Sequence, residues 1–492
     1  MKVGGVELVF IPAPGMGHLF SAVETAKLLL HKHRRDDLSI SLLIMRSPFD
    51  SKVNSYVESL ATATVDSPSA SRLKFVPLSA PATNGDTKRK NPFRSLIDSH
   101  RQSVRDWINE FRTSSSGTSF KLGGVVVDMF CVSMMEVADE FGIPSYVYYT
   151  SGAAFLGLHL HLQSLRDCCG VDVTEFKDSD PDLKVPTYTK PFPVKLLPGV
   201  FLEKDGGSDV FLDVGKLIRT AKGIIVNTFF ELEEHALETL SKEESELPPL
   251  YPVGPVLNLQ SDKIGESEEI FQWLDNQPES SVVFLCFGSG GSFPEPQVKE
   301  IARALESSGH RFLWALRRPP PKGSFYPGDY SSLEEVLPEG FSERTKSTGK
   351  VIGWAPQAAV LAHPAVGGFV SHCGWNSTLE SVWFGVPMAT WPIYAEQQAN
   401  AFEIVTEIGS GVELKMDYKK PMMGDPDQFP ETVGAETIEA GIRKLMDDGP
   451  AAAAAARKKA KEMKEKSRKA LEEGGSSSKF LQAFVDQVFI NQ

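Results

Sequence analysis

"GGFVSHCGWNSTLESVWFG", residues 367–385, reads as one strand, one turn and one helix. GGFVSH has the apolar character of a buried strand. WNSTLESVWF follows at helical spacing, and Gly385 with Pro387 beyond it supplies the stop signal. Outward from this unit the same alternation recurs. SVVFLCFG (281–288), RFLWALR (311–317), GKVIGW (349–354), PMATWP (387–392) and GVELK (411–415) read as strands with helical stretches between them. In the first half, VELVFIP (6–12), SISLLIM (39–45), LKFVPL (73–78), GGVVVDMF (123–130), PSYVYYT (144–150) and GIIVNTF (223–229) read the same way. Continuous apolar strands with helical crossovers imply parallel sheets buried on both faces.

The two runs are separated by PPLYPVGPVLNLQSDKIGESEE (248–269), whose Pro, Gly and charge suit a linker. The expected organisation is two doubly wound α/β domains, 1–250 and 269–473, a linker at 251–268, and a terminal segment 474–492. A chain of 492 residues also exceeds one core at ~150 residues per domain. Residues 174–199 and 319–332 read as irregular loops. The tail from Ala451 to about Glu473 reads as a helix whose basic run is a solvated face.

Composition narrows the function. A net charge of −13 argues against a nucleic-acid partner, which needs clustered cations. Helix termini still bind small anions whatever the global charge. Five cysteines, scattered and without a CxxC pair, fit a reducing compartment. The first apolar run is broken by Pro12 and Pro14 and reads as a strand rather than a signal peptide. No apolar run approaches the ~20 residues of a membrane span, so a cytoplasmic chain is expected. A monomer is expected as well.

Chemistry-bearing residues fall at strand ends. Gly15-Met16-Gly17-His18 follows the first strand, but Phe20 stands where a dinucleotide fingerprint needs its third glycine. His18 therefore reads either as a general base or as a helix-start histidine bonded to backbone. Asp128 ends GGVVVD, and reads as the carboxylate that orients His18 or as a turn former. FGSGGSF (287–293) lets backbone N–H groups approach phosphate, with Ser289 or Ser292 adding a hydroxyl, and is otherwise a plain turn.

At 371–380 a metal site fails, because His372 and Cys373 are adjacent. Ser377-x-x-Glu380 matches a capping box. His372, Asn376 and Ser377 around a helix N-terminus make an anion site that fits a diphosphate. Trp354 offers an indole to stack on a base, Gln357 an amide to read its edge, and Glu396 with Gln397 the groups that hold sugar hydroxyls. Together they describe a nucleotide-sugar site.

The stretch from Trp354 to Gln397, WAPQAAVLAHPAVGGFVSHCGWNSTLESVWFGVPMATWPIYAEQ, closely resembles the signature of plant secondary-product UDP-glycosyltransferases. PAPGMGH, VVDMFC, FLCFGS and the tail helix extend the resemblance over nearly the whole chain. It implies a GT-B fold: two Rossmann-like domains facing across a cleft, the first binding acceptor and the second UDP-sugar. A C-terminal helix would cross back onto the first domain. It implies His18 as base and Asp128 as its support, Trp354 on uracil, Gln357 on the uridine, and Glu380 on the ribose hydroxyls. His372, Asn376, Ser377 and Ser289 would bind diphosphate. Trp375, Glu396, Gln397 and Thr150 would meet the sugar.

In the family that the chain resembles, Gln at the position of Gln397 accompanies glucose donors, which implies UDP-glucose as a substrate with no cofactor or metal required. The leaving diphosphate would be held by the helix N-terminus and by His372 in the place of a cation. The acceptor would be a small hydrophobic hydroxylated molecule such as a flavonoid, another phenolic or a terpenoid. Phe20, Phe130 and Phe155 are expected to line its pocket. Gly290 departs from the pattern, since many relatives carry Met there. Inverting transfer to give a β-O-glucoside is the expected reaction. A UDP-sugar epimerase or hydrolase of the same fold, and a non-catalytic UDP-sugar-binding protein, are the alternatives.

Overall fold

Strand-to-strand pairing divides the molecule into two all-parallel sheets among the described residues. The first holds β1 (Val6–Ile11), β2 (Leu38–Ile44), β3 (Leu73–Pro77), β4 (Lys121–Asp128), β5 (Ser145–Tyr149), β6 (Ile224–Val226) and β7 (Leu250–Pro252), in the order 3-2-1-4-5-6-7. The second holds β8 (Val282–Cys286), β9 (Arg311–Ala315), β10 (Gly349–Ile352), β11 (Val366–Ser371), β12 (Met388–Thr390) and β13 (Gly411–Glu413), in the order 10-9-8-11-12-13. The computed structural model describes residues 5–32, 37–46, 51–63, 72–78, 92–114, 120–204, 206–259, 268–321, 327–421, 429–449 and 451–491.

Period-two geometry explains why the strands read as unbroken apolar runs. In β8, Val283 and Leu285 enter one core with Phe312, Trp314 and Val370, while Val282 and Phe284 enter another with Leu313, Phe369 and Met388. Alternate side chains leave opposite faces, and helices cover both. The first sheet packs Leu8, Phe10, Ile40 and Leu42 against Leu19, Val23 and Ala26 of the helix Met16–Lys32. The same core receives Leu481, Phe484, Val485 and Val488 from the last helix, Ser476–Ile490.

The chain forms two compact units, the first of 1–173, 203–257 and 469–492, the second of 174–202 and 258–468. Two details depart from the sequence expectation. Leu250–Pro252, expected at the start of the linker, is the seventh strand of the first sheet and pairs with β6. Residues 174–202, expected within the first domain, pack in the second unit. There Tyr188 and Phe192 lie against Phe402, with ring centroids 5.4 and 5.1 Å apart, and Glu407 accepts from the Thr189 and Lys190 backbone amides. The tail forms the helix Ala451–Leu471. Among the described residues no helix is long and apolar enough to cross a membrane.

Each sheet has a point where strand order reverses, between β1 and β4 in the first and between β8 and β11 in the second. In doubly wound sheets the carboxyl edge at that point is where ligands bind.

Candidate functional site

In the first unit, Phe10 pairs with Val126 and Ile11 with Val127, so the next residues of β1 and β4 leave the sheet side by side. The chain after β1 turns through Pro12–Gly15 into the helix Met16–Lys32, which places His18 in its first turn. The chain after β4 ends on Asp128, which caps the 3-10 turn Met129–Met134. Asp128 is 2% exposed, and a buried carboxylate must be satisfied. Its Oδ1 accepts from the Phe130 amide at 3.0 Å, and its Oδ2 lies 2.8 Å from His18 Nδ1. Thr150, just beyond β5, brings its hydroxyl to 3.2 Å from the same Nδ1. A carboxylate only accepts, so Nδ1 carries the proton and Nε2 is the basic nitrogen of the neutral ring. Asp128 thus serves as both turn cap and imidazole partner.

Aromatic rings flank this pair. Phe130 is half-buried with its ring 5.2 Å from the His18 ring. Phe93 stands edge-on to Phe130 at 5.7 Å, and Phe211 lies at 6.0 Å. Phe93 and Phe211 escaped the sequence reading, because a phenylalanine on a helix carries no mark of which partner it faces. Phe20 packs on Tyr56 at 4.2 Å. Phe155, expected in the acceptor pocket, is 2% exposed and packs inward against Tyr149 and Phe211, so it belongs to the core.

In the second unit, Cys286 pairs with Ser371, so the loop after β8 and the turn after β11 also leave together. Ser289 sits exposed on that loop. His372 is wedged between two glycines. A Cβ on Gly288, which has φ +72°, would fall 2.5 Å from His372 Nε2, and one on Gly374 would fall 2.6 Å away. His372 Nδ1 is buried with no hydrogen-bond partner among the described residues. Burial pushes the imidazole down to about 4, so at neutral pH the ring is uncharged. It supplies a buried neutral donor, and only an arriving anion would favour its protonated form.

Cys373 adopts φ +62° at the turn and is fully buried. Burial pushes its thiol well up, and Asn400 donates to its carbonyl at 2.9 Å. Its role is to shape the turn. The helix Trp375–Phe384 follows, with Gly374 as N-cap and no side-chain cap, and Gly385 in the left-handed conformation as its stop. Trp375 and Ser377 are buried and Asn376 is half-buried in that first turn.

The capping-box expectation is overturned here. The helix begins before Ser377, so neither Ser377 nor Glu380 stands in a capping position. Both instead meet Gln357, whose Nε2 lies 2.8 Å from Ser377 Oγ and 2.7 Å from Glu380 Oε2. Burial raises the Glu380 carboxyl to about 7 against the opposing effect of the Gln357 bond. A carboxylate held this close to neutrality, beside an anion-shaped turn, is a candidate ligand group.

Trp354 is 49% exposed, an unusual state for an indole. The Arg317 guanidinium lies 5.3 Å from its ring centroid. Arg317 is buried and fixed by the Pro327 and Gly328 carbonyls at 2.8 and 3.1 Å. This support also went unread in the sequence. Glu396 occupies the N-cap position of the helix Gln397–Phe402, 3.5 Å from Asn400 Nδ2. Gln397 is 3% exposed, and its Oε1 accepts from the Ile393 and Tyr394 amides at 2.8 and 3.0 Å. Among the described residues no cluster of three or more His, Cys, Asp or Glu is arranged to hold a metal ion.

Comparison with known proteins gives a consistent answer. The profile of the family described as "UDP-glucoronosyl and UDP-glucosyl transferase" matches residues 251–420. UDP-glycosyltransferase 71E1 of Stevia rebaudiana is 53% identical over 485 residues, covering 98% of this chain and 98% of the relative. UDP-glucose flavonoid 3-O-glucosyltransferase 6 of Fragaria ananassa is 51% identical over 491 residues, again with 98% of each chain covered. Among solved structures, Medicago truncatula UGT71G1 complexed with UDP-glucose superposes with a TM-score of 0.83 at 39% identity, over 98% of both chains.

Proposed function

The chain belongs to the UDP-glycosyltransferase family and has its GT-B fold, and from that premise we propose that it transfers glucose from UDP-glucose to a hydroxyl of a small apolar acceptor, with inversion, releasing UDP. The observation that carries this reading is the buried Asp128 bound to a His18 side chain that is 27% exposed at the strand-order reversal of the first sheet. His18 Nε2 takes the proton of the acceptor hydroxyl. The oxygen forms its bond to the anomeric carbon as the bond from that carbon to the UDP oxygen breaks. Asp128 then faces the imidazolium and stabilises it. Base catalysis of this kind contributes ~10²–10⁴-fold. Attack opposite the leaving group yields the β-glucoside.

The second unit holds the donor in this scheme. Uracil stacks on the exposed face of Trp354, with Arg317 behind the indole and Gln357 reaching the uridine. Glu380 accepts from the ribose hydroxyls. The turn at His372–Ser377, the start of the helix, and Ser289 take the diphosphate, where N–H dipoles favour the charge that grows as UDP departs. Glu396, Gln397 and Trp375 meet the sugar from this unit, while Thr150 of the first unit stands beside His18. Support for glucose and for a phenolic acceptor comes from what the relatives are named for, UDP-glucose and flavonoid 3-O-glucosyl transfer among them. The ring of Phe130 beside His18, with Phe93 edge-on to it, suits a planar aromatic acceptor.

The test incubates the protein with UDP-glucose, UDP-galactose and UDP-glucuronate against a mixed phenolic and terpenoid panel, read by mass spectrometry. A hexose adduct formed with UDP-glucose in preference to the other donors is expected. Sugar product released without any acceptor would instead favour a hydrolase or epimerase, and UDP binding without turnover a silent binder.

A second expectation follows from Glu380. Its carboxyl sits near 7 in the free protein, and the ionised form, which accepts through both oxygens, is the one that holds the ribose hydroxyls in this scheme, so donor affinity rises as pH rises through that value. Between pH 6 and pH 8 the ionised fraction changes about tenfold, and the UDP-glucose association constant should follow it. UDP-glucose is the right probe because its diphosphate diester does not titrate in that range. Glu380→Gln should flatten the profile, and a variant that keeps the wild-type slope removes Glu380 from the ribose.

A further inference from the structure

Asn400 lies on the helix Gln397–Phe402 and is 0% exposed. Asparagine favours helices less than most residues do, and burying its carboxamide costs free energy unless the group is bonded. Its Nδ2 donates to the Cys373 carbonyl at 2.9 Å and reaches Glu396 Oε1, one helical turn back, at 3.5 Å. Both atoms are acceptors, so the NH2 end faces them and the carboxamide has one orientation. Oδ1 is buried with no hydrogen-bond partner among the described residues. The donor end alone therefore accounts for an asparagine here.

The carbonyl it holds belongs to a strained residue. Cys373 has φ +62°, a conformation that costs a residue with a Cβ and persists only where its surroundings impose it. Its amide donates to Ser371 Oγ at 3.2 Å, and its thiol donates to the Ser371 carbonyl at 3.4 Å. Asn400 fixes the third polar group, and does so from another element. The Cys373 carbonyl and the Gly374 amide share one planar trans peptide, so holding the carbonyl aims the amide in the opposite direction. Gly374 is also the N-cap of the helix Trp375–Phe384, and its carbonyl accepts from the Thr378 amide at 2.9 Å. The peptide that Asn400 grips is thus the one that opens the turn and sets where the helix begins.

We propose that Asn400 is a positioning residue of the donor site, its one NH2 group fixing the peptide that opens the diphosphate turn and steadying the Glu396 carboxylate beside it. The proposal deepens the reading of His372–Ser377 as the diphosphate site and of Glu396 as a sugar contact, and it rests on that reading. Asn400 acts through a backbone carbonyl and a neighbouring carboxylate rather than by touching the donor. Without the NH2 group the Cys373 carbonyl is left buried and unpaired, and its peptide turns to find another donor, carrying the Gly374 amide away from the diphosphate.

The experiment measures Kd for uridine, UDP and UDP-glucose in the wild type, Asn400→Ala, Asn400→Leu, Glu396→Ala and the Asn400→Ala/Glu396→Ala double variant. The three ligands add one piece at a time: nucleoside, diphosphate, sugar. Asn400→Ala should leave uridine within about twofold, weaken UDP by about tenfold, and weaken UDP-glucose by about thirtyfold. In the Glu396→Ala background the same change should weaken UDP-glucose no more than it weakens UDP, because the carboxylate it steadied is gone. Asn400→Leu fills a similar volume without a donor and should repeat the pattern, which separates the lost bond from a cavity. Melting temperatures check that each variant is folded at the assay temperature. Equal weakening of all three ligands, or an unchanged UDP affinity, overturns the proposal. Failure of both Asn400 variants to fold places the residue in the stability of the core and overturns it as well. If the wild type binds UDP no more tightly than uridine, the failure lies instead with the reading of the turn as the diphosphate site.

Discussion

His18→Ala is expected to lower glucosyl transfer by about 10²–10⁴-fold, the usual range of a general base, while UDP affinity stays within about twofold. The asymmetry comes from where the groups sit. His18 and its partner Asp128 belong to the first unit, and the groups proposed to hold UDP belong to the second. Loss of the imidazole removes the acceptor's proton sink without touching the groups proposed to hold UDP. Asp128→Asn should be nearly as severe, because a carboxamide can present an N–H to Nδ1 and select the tautomer with its proton on Nε2, the nitrogen that must accept. Asp128→Asn should melt close to wild type; His18→Ala, which leaves buried Asp128 Oδ2 without the imidazole, should melt lower, and Asp128→Ala should also lose the cap on the Phe130 amide. Single-turnover assays with UDP-glucose and a good acceptor give the rate. A His18→Ala enzyme with ordinary turnover would remove His18 from the chemistry altogether.

Deleting residues 474–492 should leave a chain that does not fold its first unit. Leu481, Phe484, Val485 and Val488 are each at most 2% exposed and lie in the same core as β1 and β2. Burial of side chains of this size is worth about 1.5–3 kcal/mol each, so the four approach the ~5–15 kcal/mol by which a whole domain is stable. Phe484 is the centre of the contact, with Tyr146 at 5.1 Å and Tyr251 at 5.3 Å in edge-on arrangements. Polar ties add direction: Asn491 reaches Tyr146 Oη at 2.9 Å and Ser476 reaches Glu231 at 2.8 Å. Phe484→Ala alone should cost about 3–5 kcal/mol, read by urea denaturation. A truncated chain that melts with the cooperativity of the full one would show that this helix is dispensable.

Much of this was readable one strand at a time. The runs at 6–12, 123–130 and 281–288 announce themselves because both faces of each strand are buried, and His18 and Asp128 stand out because they end such runs. What no single strand reveals is the order 3-2-1-4, and that order alone makes the pair adjacent. β7 escaped because Leu250–Pro252 is three residues long among prolines, tolerable only at a sheet edge. The Ser377-x-x-Glu380 pattern misled because a capping box depends on where the helix begins. Cys373 turns the chain early and starts the helix at Trp375, so the two side chains answer a glutamine from another element. Arg317 behind Trp354, and Tyr394 over Gly290, are likewise contacts between segments distant in the chain.

The assignment of 174–202 to the second unit bears on how enzymes of this architecture can be recombined. A chimera joined at a single crossover near residue 257 would inherit that stretch from one parent and its seat from the other. The Tyr188 and Phe192 rings would then meet a foreign counterpart of Phe402, and the amides of Thr189 and Lys190 a foreign counterpart of Glu407. Donor halves therefore travel as two pieces of chain, and shuffled libraries that respect all four breakpoints should yield a larger share of folded progeny than those cut once.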